Sequence, residues 1–233
     1  MKTPPLNPKA QLIRLLEMED ALGRREIYLP DIQEEDFWWA GDSHKIRMLC
    51  EESKRVTDCT ACDLHKVRTQ TVFGEGSASA ELLLVGEAPG AEEDRAGKPF
   101  VGACGKLLDK MLAAIGLERS EVYICNALKC RPPKNRTPSE AEIKACRRYL
   151  ERQIQIVQPS VILALGRASL HALIGEDAPL SKMRGVVHYY GSSRLVVTFH
   201  PGYLLRNPQD KRLAWEDLKR AAGLLGRTGR RST

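Results

Sequence analysis

Hydrophobic positions in this chain gather into four short runs that each stop abruptly at a polar or glycine-rich turn. Residues 81–86 (ELLLVG) run into Glu87, Ala88, Pro89 and Gly90, and residues 121–125 (EVYIC) into Asn126. Residues 161–165 (VILAL) run into Gly166 and Arg167, and residues 195–199 (LVVTF) into His200, Pro201 and Gly202. Short apolar runs rich in β-branched residues, separated by segments of helical period, predict strands buried on both faces, as in a parallel sheet. The helical period recurs over 104–116 (Leu107, Leu108, Met111, Leu112, Ile115), 138–157 (Ile143, Cys146, Leu150, Ile154, Val157), 167–174 and 208–225. Thr137 as cap, Pro138 in the first turn and Glu140 three residues on predict where the second of these helices starts. Residues 186–190 offer a short additional strand.

The expected fold class is therefore α/β, a three-layer αβα sandwich around a central four-stranded parallel sheet. Ligands of open α/β sheets bind beyond the carboxyl ends of the strands, so Glu87, Asn126 and His200 are expected to converge on one pocket. Ahead of this body, Leu12, Leu15, Leu16 and Leu22 stand near helical spacing, and residues 43–56 carry a second helical pattern leading to Cys59. The predicted organisation is an N-terminal helical extension and linker over 1–45, one α/β domain over 46–226 and a basic tail over 227–233. Nothing in the residues of the extension names its partner.

Composition narrows the classes. No apolar stretch approaches the roughly 20 residues of a membrane span, and the first residues lack the apolar core of a secretory signal. A cytoplasmic protein without a membrane partner is expected, and its seven cysteines are then reduced thiols rather than disulfides. The net charge of +6 is uneven: residues 1–50 hold 7 basic against 9 acidic side chains, leaving 29 against 21 on the rest. A basic body suits a polyanionic partner, and it equally describes a solvated basic surface.

Cys59 and Cys62 have the two-residue spacing that lets both sulfurs reach one metal site from a single turn. Cys130 opens a proline-rich turn, and Cys146 lies on the apolar face of the next helix. Four thiols without histidine suit zinc or an iron–sulfur cluster. Cys50, Cys104 and Cys125 have no partner at ligand spacing and are assigned to packing.

The motifs GEAPG at 86–90 with Glu92, Glu93 and Asp94, GKPFVG at 97–102, NALKCRPPKNRTP at 126–138 and HPGYLLRNP at 200–208 follow in unbroken order. Together with the four cysteines they resemble the family 4 uracil-DNA glycosylases, from about residue 59 to 225. The resemblance implies an αβα glycosylase with a structural 4Fe-4S cluster on Cys59, Cys62, Cys130 and Cys146. It implies a monomeric, monofunctional base-excision-repair hydrolase that releases uracil from single- and double-stranded DNA and leaves an abasic site.

By that resemblance Asn126 reads the uracil edge, Phe100 stacks on the flipped base, and His200 donates to the leaving ring. Glu87 positions water or balances charge on the sugar, Gly86 and Ala88 offer backbone N–H groups, and Glu93 crowds the C5 edge against thymine. Read alone, these are a strand-ending turn, a core aromatic, a His-Pro turn and a solvated acidic loop. Lys129, Arg131, Lys134, Arg136 and Arg206, with Lys211 nearby, are expected at DNA phosphates. Tyr203, Leu204 and Leu205 are expected to form an apolar wedge. Cys104, Cys125 and Gly202 depart from the family pattern without removing any of these groups.

Overall fold

The computed structural model describes residues 38–175 and 178–227. The expected helix at 8–22 and the tail beyond 227 lie outside the described residues. Of the two units into which the chain divides, Met1–Ala40 and Gly41–Thr233, the second carries the sheet and the site.

Helix α1 (Trp38–Thr57) precedes a six-stranded sheet: β1 (Glu75–Gly76), β2 (Leu82–Gly86), β3 (Tyr123–Asn126), β4 (Val161–Leu165), β5 (Val187–Tyr190) and β6 (Ser193–Thr198). The spatial order is β1-β3-β2-β4-β6-β5. The inner four strands are parallel, as expected, and β1 and β5 add antiparallel edges. Helices α2 (Ala91–Ala96), α3 (Ala103–Ala114), α4 (Glu140–Val157), α5 (Arg167–Ile174), α6 (Leu180–Met183), α7 (Pro201–Arg206) and α8 (Lys211–Leu224) complete the order.

Side chains alternate across a strand, and the inner strands carry apolar residues on both faces because each face has its own helical layer. Leu82, Leu84, Ile124, Val161, Leu163 and Val196 pack with Leu108, Met111 and Leu112 of α3 and Leu218 and Ala221 of α8. Their strand neighbours Leu83, Val85, Tyr123, Cys125, Ile162, Ala164 and Val197 face the opposite way. They meet Val56 of α1, Leu150 and Ile154 of α4, and Leu170 and Leu173 of α5. The three-layer sandwich follows from this alternation.

Three local expectations are corrected. Helix α4 is capped by Ser139, whose Oγ accepts from the Glu142 amide at 3.3 Å while Glu142 accepts from Ser139 N at 2.8 Å. The capping box thus closes two residues later than Thr137 and Glu140 imply. The 208–225 segment divides into a 3₁₀ turn at Pro208–Asp210 and α8. The residues after Gly90 and His200, read as loops, form α2 and α7.

No helix among the described residues is long and apolar enough to cross a membrane. Leu163 is fully buried in the central strand β4, so Leu163→Ala is expected to cost about 2–5 kcal/mol in chemical denaturation. A cost below about 1 kcal/mol would contradict a close-packed sheet centre.

Candidate active site

The parallel ladder of β2 and β3 ends at the pair Gly86 and Asn126. Beyond that rung the chain turns, and the Ala127 and Leu128 amides donate to the carbonyls of Gly86 and Glu87 at 2.9 and 3.0 Å. Across β4 lies the end of β6, where Phe199 and His200 leave the sheet. The three strand ends enclose a pocket of about 240 Å³ walled by Glu87, Ala88, Glu93, Phe100, Asn126 and His200. The expected convergence of Glu87, Asn126 and His200 is therefore present.

Asn126 is 1% exposed, yet its side-chain Nδ2 has no hydrogen-bond partner. A buried donor without an acceptor costs about 1–3 kcal/mol, so this amide is set for an acceptor entering the pocket. Gly86 stands behind the wall rather than in it. A Cβ there would lie 2.2 Å from Asn126 Oδ1 and 2.6 Å from the Phe100 ring. Its missing side chain leaves room for the two groups that shape the pocket. Phe100 holds φ +53° with its side chain buried. A non-glycine residue in the left-handed region stores about 1–3 kcal/mol of strain, which the packing around it must hold.

His200 caps α7, and its Nδ1 accepts from the Gly202 amide at 3.0 Å. A backbone N–H only donates, so the neutral ring carries its proton on Nε2. Burial first, then the nearby Arg206 charge, pull the imidazole pKa down to about 4, against the opposing effect of Glu93. The ring lies 5.7 Å from that of Phe100. Gly166, at φ +94°, passes beneath it: a Cβ would sit 3.1 Å from His200 Cβ, so backbone conformation and close approach both call for glycine. Burial raises the Glu87 carboxyl above the ordinary carboxylate range. Glu93 is tied back by its oxygens, which accept from Gly90 N at 3.0 Å and Val101 N at 3.3 Å, while it still walls the pocket. Ala88 also lies in the wall.

The basic and apolar residues expected at DNA divide. Lys129 is 1% exposed, with Nζ bonded to Asn126 O and Gln153 Oε1, both at 2.6 Å, so it cannot reach a phosphate. Leu204 is likewise 1% exposed and packs into the sheet-facing core, so it cannot be part of a wedge. Tyr203 and Leu205 are exposed on the same helix. Arg136 is exposed but forms a two-pronged pair with Glu142 at 2.6 and 2.8 Å. Lys134, Arg206 and Lys211 are exposed, and Arg131 is half-buried with its Nε donating to Asn135.

Cys59, Cys62, Cys130 and Cys146 line one cavity with Tyr149. Three donors address its sulfurs: Arg68 to Cys130 at 3.1 Å, the Lys129 amide to Cys146 at 3.3 Å and Arg148 to Cys59 at 3.9 Å. Burial raises Cys146 to about 11 and also raises Cys130, where Arg68 opposes it. On Cys59 burial works upward too, but hydrogen bonds with Tyr149, the Ala61 backbone and Arg148 hold the thiol below its ordinary value. Among the described residues, no three His, Cys, Asp or Glu side chains close on a single metal ion. Four sulfurs around one cavity, addressed by N–H donors, are a donor set that fits an iron–sulfur cluster.

Of the cysteines assigned to packing, Cys125 is buried, but Cys50 is exposed and Cys104 lines the pocket. A Cβ on Gly202 would stand 3.2 Å from Cys104 Sγ, so the small residue at 202 leaves space for the thiol at 104. Sequence reasoning also missed Asn135, Gln153, Arg68 and Arg148. Only Asn135, at φ +54°, carried a local signal, the tolerance of asparagine for the left-handed region.

Residues 73–219 match the family model described as the uracil DNA glycosylase superfamily. That span contains the pocket residues, Cys130 and Cys146; Cys59 and Cys62 precede it. Over 181 residues the chain is 45% identical to the type-4 uracil-DNA glycosylase of Thermotoga maritima, covering 76% of this chain and 94% of that protein. It is 42% identical to the type-4 uracil-DNA glycosylase of Archaeoglobus fulgidus, covering 75% and 92%, respectively. To that of Sulfurisphaera tokodaii it is 46% identical, covering 72% and 80%.

A histidine held neutral in the fold binds fewer protons than in the unfolded chain, so its stabilising effect is complete above pH about 6.5 and is lost as pH falls toward about 4. The denaturation midpoint of the wild type is expected to drop more steeply across that window than that of His200→Gln. Parallel curves for the two proteins would contradict the assignment of His200 as a desolvated neutral ring.

Proposed function

The chain belongs to the uracil DNA glycosylase superfamily, and on that premise we propose that it hydrolyses the N-glycosidic bond of flipped-out deoxyuridine in DNA. It releases uracil and leaves an abasic site. The observation that carries this reading is the unpartnered Nδ2 of buried Asn126 in the wall that also holds Phe100 and His200.

An enzyme acting on a base must take it out of the stack and read its pairing edge. In the proposed pose, Asn126 Nδ2 donates to O4 and Oδ1 accepts from N3–H, a pattern that cytosine cannot satisfy. Phe100 supplies a stacking face, and the backbone-tethered Glu93, with Ala88 beside it, closes the pocket against a methyl at C5. Cleavage leaves negative charge on the ring, and His200 Nε2–H stabilises it at O2 without giving up a full proton. A neutral donor fits a ring whose pKa lies near 4. Glu87 orients the attacking water or balances positive charge on the sugar, in its ionised form.

Around the pocket, Arg131, Lys134, Arg136 and Arg206 are positioned for phosphates of single- or double-stranded DNA, Arg136 by exchanging its pair with Glu142. Exposed Leu205 and Tyr203, the latter stacked on Phe199 at 5.1 Å, provide the wedge. Cys59, Cys62, Cys130 and Cys146 would hold a 4Fe-4S cluster, which when bound supplies a cross-link between α4 and the segments before β1 and after β3. The reading takes the protein as a cytoplasmic monomer, and residues 46–226 as the glycosylase domain.

Purified protein with intact iron and sulfide is expected to release uracil from single-stranded, U:G and U:A oligonucleotides without added Mg²⁺; no release under those conditions would refute the activity. His200→Ala is expected to lower kcat by about 10²–10³-fold. Glu87→Gln is expected to remove the acid limb of the pH–rate profile, which in the wild type lies above the ordinary glutamate value. A profile unchanged by Glu87→Gln would exclude Glu87 from the chemistry.

A further inference from the structure

Lys129 presents a problem that neither DNA contact nor packing explains. It is a fully buried lysine whose two Nζ partners are neutral oxygens, the Asn126 carbonyl and the Gln153 side-chain carbonyl. An apolar side chain would fill the same space without the cost of burying a charge.

The placement of its bonds gives it a task. Asn126 ends β3, so its carbonyl has no further ladder donor, and Lys129 Nζ supplies one at 2.6 Å. The other side of the same peptide unit, Ala127 N–H, donates to Gly86 O at 2.9 Å. The peptide plane that sets the direction of the Asn126 side chain is thus held at both edges. Gln153 stands on α4 two turns after Cys146, and its Nε2 donates to Phe73 O at 2.8 Å and to Tyr123 Oη at 3.1 Å. Its Oε1 is therefore a fixed anchor for Nζ. At the other end of the same residue, Lys129 N donates to Cys146 Sγ at 3.3 Å, and Lys129 itself lines the thiol cavity.

We propose that Lys129 is a positioning residue, a strut that fixes the carboxamide of Asn126 relative to the thiol cavity through Gln153 and Cys146. The proposal rests on the function argued above and gives the thiol site a mechanical link to base selection. Asn126 and Cys130 lie four residues apart on one turn, and the strut makes that turn a single rigid piece. Loss of Nζ or of its Gln153 anchor loosens one edge of the Asn126 peptide, and discrimination at the pairing edge falls although no group touching the base has been changed.

The test uses holoprotein as isolated, with Lys129→Met and Gln153→Met as two independent ways of removing the strut. Gln153 does not line the thiol cavity, so its variant keeps the cavity intact even where Lys129→Met does not. Binding is measured for oligonucleotides carrying 2′-fluoro-2′-deoxyuridine, which resists cleavage, and for the same strands with 2′-fluoro-2′-deoxycytidine; iron and sulfide are assayed in parallel. The expected result is a loss of at least about 10-fold in the uridine-over-cytidine preference in both variants, equivalent to about 1.4 kcal/mol, with Gln153→Met retaining wild-type iron. Undiminished preference in Gln153→Met, or a loss in Lys129→Met that merely follows loss of iron, overturns the strut. A wild type without preference overturns the proposed function itself, and the strut's role with it.

Discussion

The last rung of the β2–β3 ladder is the constraint from which the rest of the site follows. There Gly86 faces Asn126, and only the absence of a side chain at 86 lets the Asn126 carboxamide and the Phe100 ring occupy their places. The parallel sheet supplies rigidity, because four strands buried on both faces cannot shift register without exposing apolar side chains. The switch in strand order between β2 and β4 supplies the opening, with β2 leading on to β3 on one side and β4 leading on to β5 and β6 on the other. Selectivity is thus built on the stiffest part of the molecule.

Burial tunes the chemistry of the groups placed there. His200 sits where desolvation and Arg206 keep the imidazole neutral, and the Gly202 amide fixes which nitrogen keeps the proton. Glu87, by contrast, is raised by burial, so the two titrating groups of the pocket move toward each other's range. A water-poor pocket strengthens each hydrogen bond made inside it, and an unpartnered amide such as that of Asn126 becomes costly until a ligand arrives. The same physics makes the empty pocket less stable and the occupied one selective.

Much of this was legible in the sequence because doubly buried strands write themselves as continuous apolar runs. The parallel core, the layers and the convergence of Glu87, Asn126 and His200 needed no more than that. Two short helices, α2 and α7, escaped because six residues give no helical period to read. The α4 cap was misplaced because two overlapping cap-and-acid patterns compete, and Glu142 gains a second partner in Arg136. Lys129 and Leu204 show the deeper limit. A lysine in a basic turn and a leucine in an apolar tip look exposed, and whether they are is decided by segments remote in sequence, Gln153 in one case and the sheet-facing core in the other.

The thiol cavity and the pocket are two sides of one turn, so the fold ties the bonding of Cys130 to the orientation of Asn126. The most direct measurement of the whole account is a crystal structure of the protein bound to DNA carrying a cleavage-resistant deoxyuridine. The account predicts the base flipped into the pocket, stacked on Phe100, with Asn126 Nδ2 within hydrogen-bond distance of O4 and His200 Nε2 within that distance of O2. A base left in the helix, or one that enters with its pairing edge away from Asn126, would contradict it.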